Sequence, residues 1–378
     1  MAKPANNTQA LNPVTVQGTC FVIAETNTLF TPVGFNYDHD EHYRLLEDYW
    51  HTEFEKVAKD FAEMRKLGAT VIRIHLQIGK FLTAPTCSNE TELQQLDRLL
   101  LLAEQHSLRI HLVGLGCYHR ADVPFWYEHL PEDERWNTQA FFWKTLAKRY
   151  CNHPTIFCFD LMNEPVVPGR KRHHKGWLGP EFHGKCFVQF ISLDGTQAPR
   201  LDIATRWTQK LIDAIRSEDT NRLITIGLVD WSIEGIEPQS SGFIPEHFAP
   251  LLDFMCVHVY PEYHNVDKAV RTVKHFCLGK PLLLDETFPL KCSVTEIDDF
   301  ITQIKPLVCG FMGFYTDVVA QPETEHHHQR NALMKDWLTI FQLQAQQYTH
   351  HANTFPHSNI HIDTALAHTA FDSDEPAA

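Results

Sequence analysis

Apolar runs of strand length alternate with amphipathic helical segments along most of this chain. In the first half the runs are VGFNY, TVIRIHLQ, RIHLVGLG and TIFCFDLM. In the second half they are RLITIGLV, FMCVHVY, PLLLDE and GFMGFYT. Strands that are apolar on both faces are typical of a parallel sheet covered by helices. The alternation therefore predicts an α/β fold, a parallel sheet closed into a (β/α)₈ TIM barrel.

The segments between these runs carry apolar residues at spacings of three and four, as helices packed on a sheet do. The first of them, EFEKVAKDFAEMRKLG, ends at Gly68, and glycine commonly ends a helix. The fifth connection, around residues 246–252, has the weakest helical pattern. Ahead of the first barrel strand, CFVIAETNTLF predicts a hairpin.

The pattern predicts a single folded domain. Residues 1–15 are expected to form a flexible leader, residues 16–345 the catalytic barrel, and residues 346–378 a flexible tail that lacks apolar periodicity. Residues 166–200, after the fourth strand, form an extended loop that is too long for a simple βα connection. Long loops at the carboxyl end of a barrel usually shape its site.

Composition narrows the range of partners. Hydrophobic residues make up 43% of the 378 residues and charged residues 21%, as in ordinary globular proteins. The formal net charge of −14 argues against nucleic-acid partners and against binding to an anionic membrane surface. Apolar stretches of about 18 residues, which would span a membrane, are absent from the sequence. We therefore expect neither nucleic acid nor membrane as a partner, while the oligomeric state stays open.

The cysteines and the first residues bear on the compartment. The ten cysteines are scattered, without a CxxC pair, and several, such as Cys158 and Cys256, fall inside predicted strands. This pattern is typical of buried thiols in a reducing compartment. The first thirty residues lack the basic start and continuous apolar core of a secretory signal. Together these features predict a cytoplasmic location.

Two acidic segments carry the strongest chemical signal. DLMNEP ends the fourth predicted strand and LLLDETF ends the seventh, which places Glu164 and Glu286 at strand ends. An ionisable side chain at the end of a buried strand is costly to place there. Because the carboxyl ends of barrel strands meet at one face, the two glutamates are predicted to share a pocket for acid, base or nucleophile chemistry.

These motifs resemble a known family. NEP after the fourth strand, HVY in the sixth and DE in the seventh are similar to retaining glycoside hydrolases of clan A, and more narrowly to a cellulase-like member of glycoside hydrolase family 5. The resemblance covers residues 34–345. It implies that Glu164 is the acid/base and Glu286 the nucleophile, about 5 to 5.5 Å apart. A covalent glycosyl-enzyme intermediate follows from it, and no cofactor or metal.

The same resemblance implies a carbohydrate partner, a β-linked glucan, mannan or related oligosaccharide, and supporting residues around the glutamates. Asn163 matches the residue that binds the sugar 2-hydroxyl, and Tyr260 matches the tyrosine that contacts the nucleophile. Arg73 matches an arginine near the nucleophile, and His258 lies two residues before Tyr260 on the same strand face. For His75, on the same face as Arg73, a core position and a substrate contact both stay open.

The chain departs from the family pattern at two strand ends. The third strand of the family usually ends in a histidine, and in GLGCYH that role is assigned to His119. The eighth usually ends in a tryptophan that stacks on the sugar, and in GFMGFYTD the stacking residue is predicted to be Tyr315. Trp126, Trp177 and Trp231 lie in or near loops and are further candidate sugar platforms.

Two other functions stay open. One is a metal-dependent TIM-barrel hydrolase, because 24 histidines is a high count. The other is a carbohydrate-binding barrel without turnover, against which the presence of both glutamates argues. The histidine clusters fall in polar loops and the tail, where solvated side chains are the better interpretation; they are His173 with His174, His326 to His328, and His350 with His351.

Overall fold

Eight parallel strands close into a barrel in the computed structural model, which describes residues 11–169, 176–182, 184–193, 198–233, 240–317 and 325–354. Each strand pairs with the next one along the chain, and the last pairs with the first. The predicted TIM barrel is confirmed. The strands β1 to β8 are Val33–Asn36, Val71–Gln77, Arg109–Gly116, Ile156–Asn163, Leu223–Val229, Met255–His258, Leu282–Glu286 and Gly310–Phe314.

One helix follows each barrel strand and packs on its outer face. The fifth helix is a single turn, in keeping with the weak pattern of that connection. The seventh begins with a reciprocal cap, in which Ser293 Oγ accepts from the Glu296 backbone and Glu296 accepts from the Ser293 backbone. The helices α1 to α8 are Phe54–Lys66, Glu90–Gln105, Glu132–Arg149, Arg200–Arg216, Pro245–Phe248, Val266–His275, Val294–Ile304 and Glu325–Thr354.

An antiparallel sheet before the barrel closes its amino end. It consists of the strands Val14–Gln17, Cys20–Ile23 and Leu29–Phe30. The ring of Phe21 lies 5.1 Å from that of Phe157 and 5.0 Å from that of Phe254, both at the amino ends of barrel strands. The first of these strands starts inside the predicted leader of residues 1–15. Aromatic side chains therefore fill the amino end of the barrel.

The last helix corrects the predicted boundary of the tail. It continues past residue 345 to Thr354, and Tyr348 is buried with its ring 5.0 Å from that of Phe311. The sequence hides this packing because glutamines and histidines surround the few apolar anchors of the last turns. Residues 1–10 and 355–378 lie outside the described residues.

The loops at the carboxyl end contain further short elements. The described parts of the loop after β4 fold back toward that strand, so that Gln189–Phe190 pairs with Pro165–Val166. Residues 170–175, 183 and 194–197 of this loop, including His173 and His174, lie outside the described residues. The other short elements are the helical turns Leu46–Tyr49, Ile78–Phe81, Arg120–Asp122 and Phe125–Glu128 and the strand pair Leu82–Ala84 with Cys87–Ser88.

All ten cysteines are free thiols, and those inside barrel strands, Cys158 and Cys256, are buried as their positions predicted. Within the described part of the chain, none of the helices combines the length with the apolarity that crossing a bilayer requires.

Candidate active site

The carboxyl ends of β4 and β7 bring Glu164 and Glu286 together. Glu164 is the first residue after β4, and Glu286 is the last residue of β7. A carboxylate oxygen of each, together with an imidazole nitrogen of His258, lie within 4.8 Å of one another. Two carboxyl groups about 5 to 5.5 Å apart fit a double displacement on one sugar ring. The predicted pairing across the barrel mouth is therefore present in the structure.

Irregular backbone aims these side chains. Glu164 has a φ of +47°, in the left-handed region that non-glycine residues seldom adopt. The strand register shifts just before Asn163, which pairs with Gly227, and just before His258, which pairs with Glu286. Such irregularities re-aim side chains and are frequent next to active sites. Here they turn neighbouring strand ends toward one point.

Two donors hold the Glu286 carboxylate. Arg73 Nη1 lies 2.5 Å from Oε1, and the Tyr260 hydroxyl donates to Oε2 at 2.7 Å. Burial raises the pKa of Glu286 above its usual value, while the charges of His258 and Arg73 and the Tyr260 hydrogen bond oppose the rise. Burial and the neighbouring carboxylates raise the pKa of Tyr260 well above its usual value, so its hydroxyl stays protonated and donates. Both donors favour an ionised Glu286.

His258 links the two glutamates. Its Nδ1 lies 2.8 Å from Glu164 Oε1 and 3.3 Å from Glu286 Oε2, and its Nε2 lies 3.6 Å from Asp285 Oδ1. Burial alone would lower the pKa of His258, but the charges of Glu286 and Asp285 outweigh it and raise the pKa well above the usual value. A protonated imidazole between the carboxylates offsets their mutual repulsion.

The floor of the site is a buried ion network centred on Arg73. The guanidinium is fully buried and donates through Nη2 to Asp160 Oδ2 at 2.9 Å and to Asn163 Oδ1 at 3.0 Å. Nη1 also donates to Asn36 Oδ1 at 2.8 Å. Arg73 thereby joins β1, β2, β4 and β7, and it orients the predicted sugar ligand Asn163 as well as Glu286.

Sequence reasoning missed two buried aspartates of this network. Asp160 accepts from Arg73, and Asp285 places an oxygen 3.6 Å from Arg73 Nε. Burial would raise the pKa of Asp285, but the charges of His258 and Arg73 hold it below its usual range. Both residues stand in the motifs that revealed the glutamates, and each lies an even number of positions from an interior-facing apolar residue of its strand. That alternation was the available signal.

An open cleft adjoins Glu164. Its volume is about 280 Å³, and it lies over the ends of β5 and β6 and beside α6. The half-buried Trp231, a predicted sugar contact, lines this cleft beside Glu164. Burial and the charge of Glu164 raise the pKa of Asp230, which also lines it. The remaining polar lining comes from Tyr260, Glu262, Asn265, Lys268, Thr272 and Lys291.

Tyr315 does not form the predicted sugar platform. Its side chain is buried, its ring lies 5.7 Å from that of Phe35, and its hydroxyl lies 3.5 Å from Asp60 of α1. Strand alternation instead turns Phe314 toward the mouth, where its ring stacks at 6.5 Å on that of Tyr260. The prediction placed the aromatic one residue too late, and Phe314 lies beside Tyr260, whose hydroxyl donates to Glu286.

The sugar contact assigned to His119 stays a prediction. Among the described residues His119 makes no hydrogen bond to either glutamate. The preceding Tyr118 places its hydroxyl 2.6 Å from His75 Nδ1, and His75 Nε2 lies 3.2 Å from Arg73 Nη1. Burial and the Arg73 charge lower the pKa of His75 to about 3, so it is a neutral member of the buried network. Trp177, too, is buried and unavailable as a platform.

Among the residues that the structure describes, two groups of side chains have the composition of metal sites. Glu164, His258 and Glu286 form one, and the buried His111, Cys256 and Asp285 form the other. Arg73 contacts a carboxylate of each group and, with protonated His258, supplies positive charge at this place. A divalent cation would have to compete with that fixed guanidinium, so the arrangement favours an ion network over a metal centre.

Comparison with known proteins identifies the family. The model of the cellulase family, glycosyl hydrolase family 5, matches residues 27–303. A mannan endo-1,4-β-mannosidase A from Podospora anserina is 24% identical over 219 residues, which cover 51% of this chain and 50% of that protein. The chain spans about half the length of the curated relatives it matches.

Solved structures share the fold at low identity. An exo-β-1,4-mannosidase from Opitutaceae bacterium strain TAV5 superposes with a TM-score of 0.64 at 18% identity, covering 87% of this chain and 61% of that one. A GH5_18 protein from Streptomyces cattleya in complex with Manβ1-4GlcNAc superposes with a TM-score of 0.63 at 15% identity, covering 86% of this chain and 82% of that one. The family model covers most of the barrel, including both glutamates. The chain therefore belongs to glycosyl hydrolase family 5.

Proposed function

We propose that this protein hydrolyses a β-glycosidic bond, most readily a β-mannoside, with retention of anomeric configuration. The observation that carries the proposal is the placement of Glu164 and Glu286, with carboxylate oxygens within 4.8 Å at the mouth of one barrel. This spacing leaves no room for a water between a carboxylate base and the sugar, as an inverting enzyme requires at about 6.5 to 9.5 Å. It suits direct attack by one carboxylate.

In the first step Glu286 attacks the anomeric carbon. Arg73 donates to one oxygen of its carboxylate and Tyr260 to the other, which fixes its orientation. Glu164 gives its proton to the departing glycosidic oxygen, so that the bond to the leaving group breaks as the bond to Glu286 forms. The cleft beside Glu164 receives the leaving group.

In the second step Glu164, now ionised, takes a proton from water. The resulting hydroxide displaces Glu286 from the anomeric carbon and restores both carboxyl groups. Arg73 donates to Asn163 Oδ1 at 3.0 Å and so orients the side-chain amide. The amide nitrogen keeps a hydrogen with which it can bind the sugar 2-hydroxyl. That contact strengthens as positive charge develops on the ring, and it lowers the barrier of both steps.

The sugar assignment draws on the relatives. The curated ones are mannan endo-1,4-β-mannosidases, and the structural neighbours include an exo-β-1,4-mannosidase and a complex with Manβ1-4GlcNAc. We therefore expect 4-nitrophenyl β-mannoside to be cleaved with a higher kcat/KM than the β-glucoside. The reverse preference would point to a glucan and leave the retaining mechanism intact.

Replacement of the nucleophile tests the mechanism. Glu286→Ala should abolish turnover, and added azide should enter the vacated face and yield the α-glycosyl azide. Glu63→Ala, which removes a surface carboxylate paired with Lys66, is the control and should behave as wild type. Near-normal activity of Glu286→Ala, or a β-configured azide product, would refute the nucleophile assignment.

The two other functions make different predictions. A metal-dependent hydrolase would lose activity in a chelator, whereas we expect full activity because Arg73 and His258 already supply the positive charge. A binding barrel without turnover would bind oligosaccharide at equilibrium and release no reducing ends.

A further inference from the structure

One side of the barrel mouth is covered by the described segment 184–193 of the loop after β4. The backbone N–H of Cys186 donates to the Tyr118 carbonyl at 2.8 Å, and the ring of Phe187 lies 5.6 Å from that of Tyr118. Asn163 Nδ2 donates to the Phe187 carbonyl at 3.3 Å. The segment therefore lies across the ends of β3 and β4, directly beside the predicted sugar-binding amide.

Lys185 of this segment has an unusual environment for a lysine. The residue is only 2% exposed, and its ammonium lies 5.2 Å above the ring of Tyr43. Within the described ranges the ammonium itself forms neither a hydrogen bond nor an ion pair, while the Lys185 backbone pairs with that of Phe182. A buried ammonium carries three donors and is costly to leave without acceptors. Burial lowers the pKa of Lys185, against the charges of Asp38, Asp40 and Asp48.

Asp38 supplies an acceptor at the same place. It lies two residues after Asn36 of β1, on the interior face, and is 4% exposed. One carboxylate oxygen lies 2.8 Å from His39 Nδ1. Burial would raise the pKa of Asp38, but the charges of His39, His75 and Lys185 hold it below its usual range. An ionised carboxylate and an ammonium thus lie near enough for each charge to shift the pKa of the other, and the carboxylate also lies near His75 of the Arg73 network.

The loop that carries Asp38 is held in a fixed conformation. Asp40 accepts from the backbone N–H of His42 and of Arg44, each at 2.9 Å. Tyr43 has a φ of +61°. In addition to the Lys185 ammonium, the guanidinium of Arg330 in α8 lies 5.2 Å from its ring. A strained residue held by two cations at the rim of a site is typical of a structure selected for function. Segment 184–193 and the loop of residues 38–44 that packs against it are called the wall from here on.

We propose that this wall ends the glycone side of the site after one sugar, that Lys185 and Asp38 hydrogen-bond the hydroxyls of a non-reducing terminal residue, and that the protein cleaves from that end. The inference rests on the proposed function and extends it from bond type to mode of attack. The open cleft of about 280 Å³ adjoins Glu164 and is bordered by Val188, three residues further along the segment, so a leaving group of variable length has room there. A closed glycone side with an open leaving-group side permits exo cleavage and excludes binding along the middle of a chain.

Two chromogenic substrates test the mode of attack. With 4-nitrophenyl β-mannobioside, exo cleavage first removes the terminal mannose, so mannose is the sole early sugar and nitrophenol follows only after a lag. Immediate release of nitrophenol with free mannobiose would overturn the inference while leaving the hydrolase proposal standing. If the protein cleaved none of these substrates, neither the two mannosides nor the matching glucosides, the proposed function itself would be overturned.

Variants of the wall provide the second readout. Lys185→Met keeps the length and the packing on Tyr43 but removes the donors, and we expect kcat/KM on 4-nitrophenyl β-mannoside to fall about 10- to 100-fold. Lys185→Ala should also open the wall, so that mannobiose appears among the early products. Lys66→Ala, which alters a lysine 73% exposed on α1, is the control. Wild-type kinetics and products in both Lys185 variants, with the fold intact by circular dichroism, would refute the role of Lys185.

Discussion

The two sides of the barrel mouth use charged residues in opposite ways. On the covered side, Lys185 and Asp38 are 2% and 4% exposed and are held by packed loops. On the open side, the side chains of Lys268 and Lys291 are 64% and 67% exposed, and each lies 3.8 Å from Glu262. Fixed side chains bind a ligand with little further loss of conformational entropy, whereas exposed lysines must first be ordered. The covered side is thus suited to selecting one sugar and the open side to tolerating many leaving groups.

Both sides stand on the floor formed by Arg73, so its removal should have the largest effect. Arg73→Met leaves the buried Asp160, Asp285 and Glu286 carboxylates without their cation. We expect a loss of about 3–5 kcal/mol in the free energy of unfolding and no measurable turnover on any substrate. Urea unfolding measures the first effect. Arg149→Met, which breaks a partly exposed pair with Asp97, should cost at most about 1 kcal/mol; equal losses in both variants would contradict the account.

Glu164→Ala distinguishes the open side from the covered one. The acid assists departure of the leaving group, so poor leaving groups should lose about 10²- to 10⁴-fold in kcat/KM. Activated 2,4-dinitrophenyl glycosides need little proton assistance and should lose far less in the first step. Steady-state kinetics on the two substrate types measure the contrast. Equal losses on both would remove Glu164 from the acid role.

The pH dependence reports on the nucleophile between the two sides. Burial raises the pKa of Glu286 above 4.5, and only the ionised form attacks, so activity should fall as the pH drops through that raised pKa. The acid limb of kcat/KM is therefore expected above pH 4.5. Tyr260→Phe removes a hydrogen bond that lowers this pKa, which should shift the limb to higher pH and reduce the rate about 10- to 100-fold. Tyr263→Phe, an exposed tyrosine, should leave the limb in place.

The smallest effect is expected from the aromatic of the open cleft. Trp231→Ala should raise KM for an oligosaccharide roughly fivefold, because one ring contact is worth about 1 kcal/mol. For 4-nitrophenyl mannoside, which lacks a leaving sugar, little change is expected. Lys185→Met should affect both substrates alike. A Trp231 variant that weakened both equally would erase the distinction between the two sides.

The barrel and its central pair were predictable because they depend on local patterns. Strand and helix periodicity predicted the closed sheet, and short motifs at strand ends predicted Glu164 and Glu286, while the resemblance to family 5 implied Asn163, Tyr260 and Arg73. The prediction of the aromatic at the barrel mouth was wrong by one residue, because the strand ends were not known well enough to decide whether Phe314 or Tyr315 faces inward. A shift of one residue exchanges the two faces of a strand.

Local sequence patterns did not predict the covered side of the barrel mouth. Lys185 lies in an irregular loop, and its place above Tyr43 depends on contacts between segments far apart in the chain. A lysine in a polar loop gives no sign that it will be buried. Asp38, by contrast, follows a predicted strand at an interior-facing spacing, and strict alternation through Asn36 would have found it.

Trapping of the covalent intermediate tests the central assignment most directly. A 2,4-dinitrophenyl 2-deoxy-2-fluoro-β-mannoside should inactivate the protein as one equivalent of dinitrophenol is released. Intact mass should rise by a single fluoroglycosyl unit, and peptide mapping should place that unit on Glu286. An adduct on another residue, or inverted product formed without any adduct, would contradict the account.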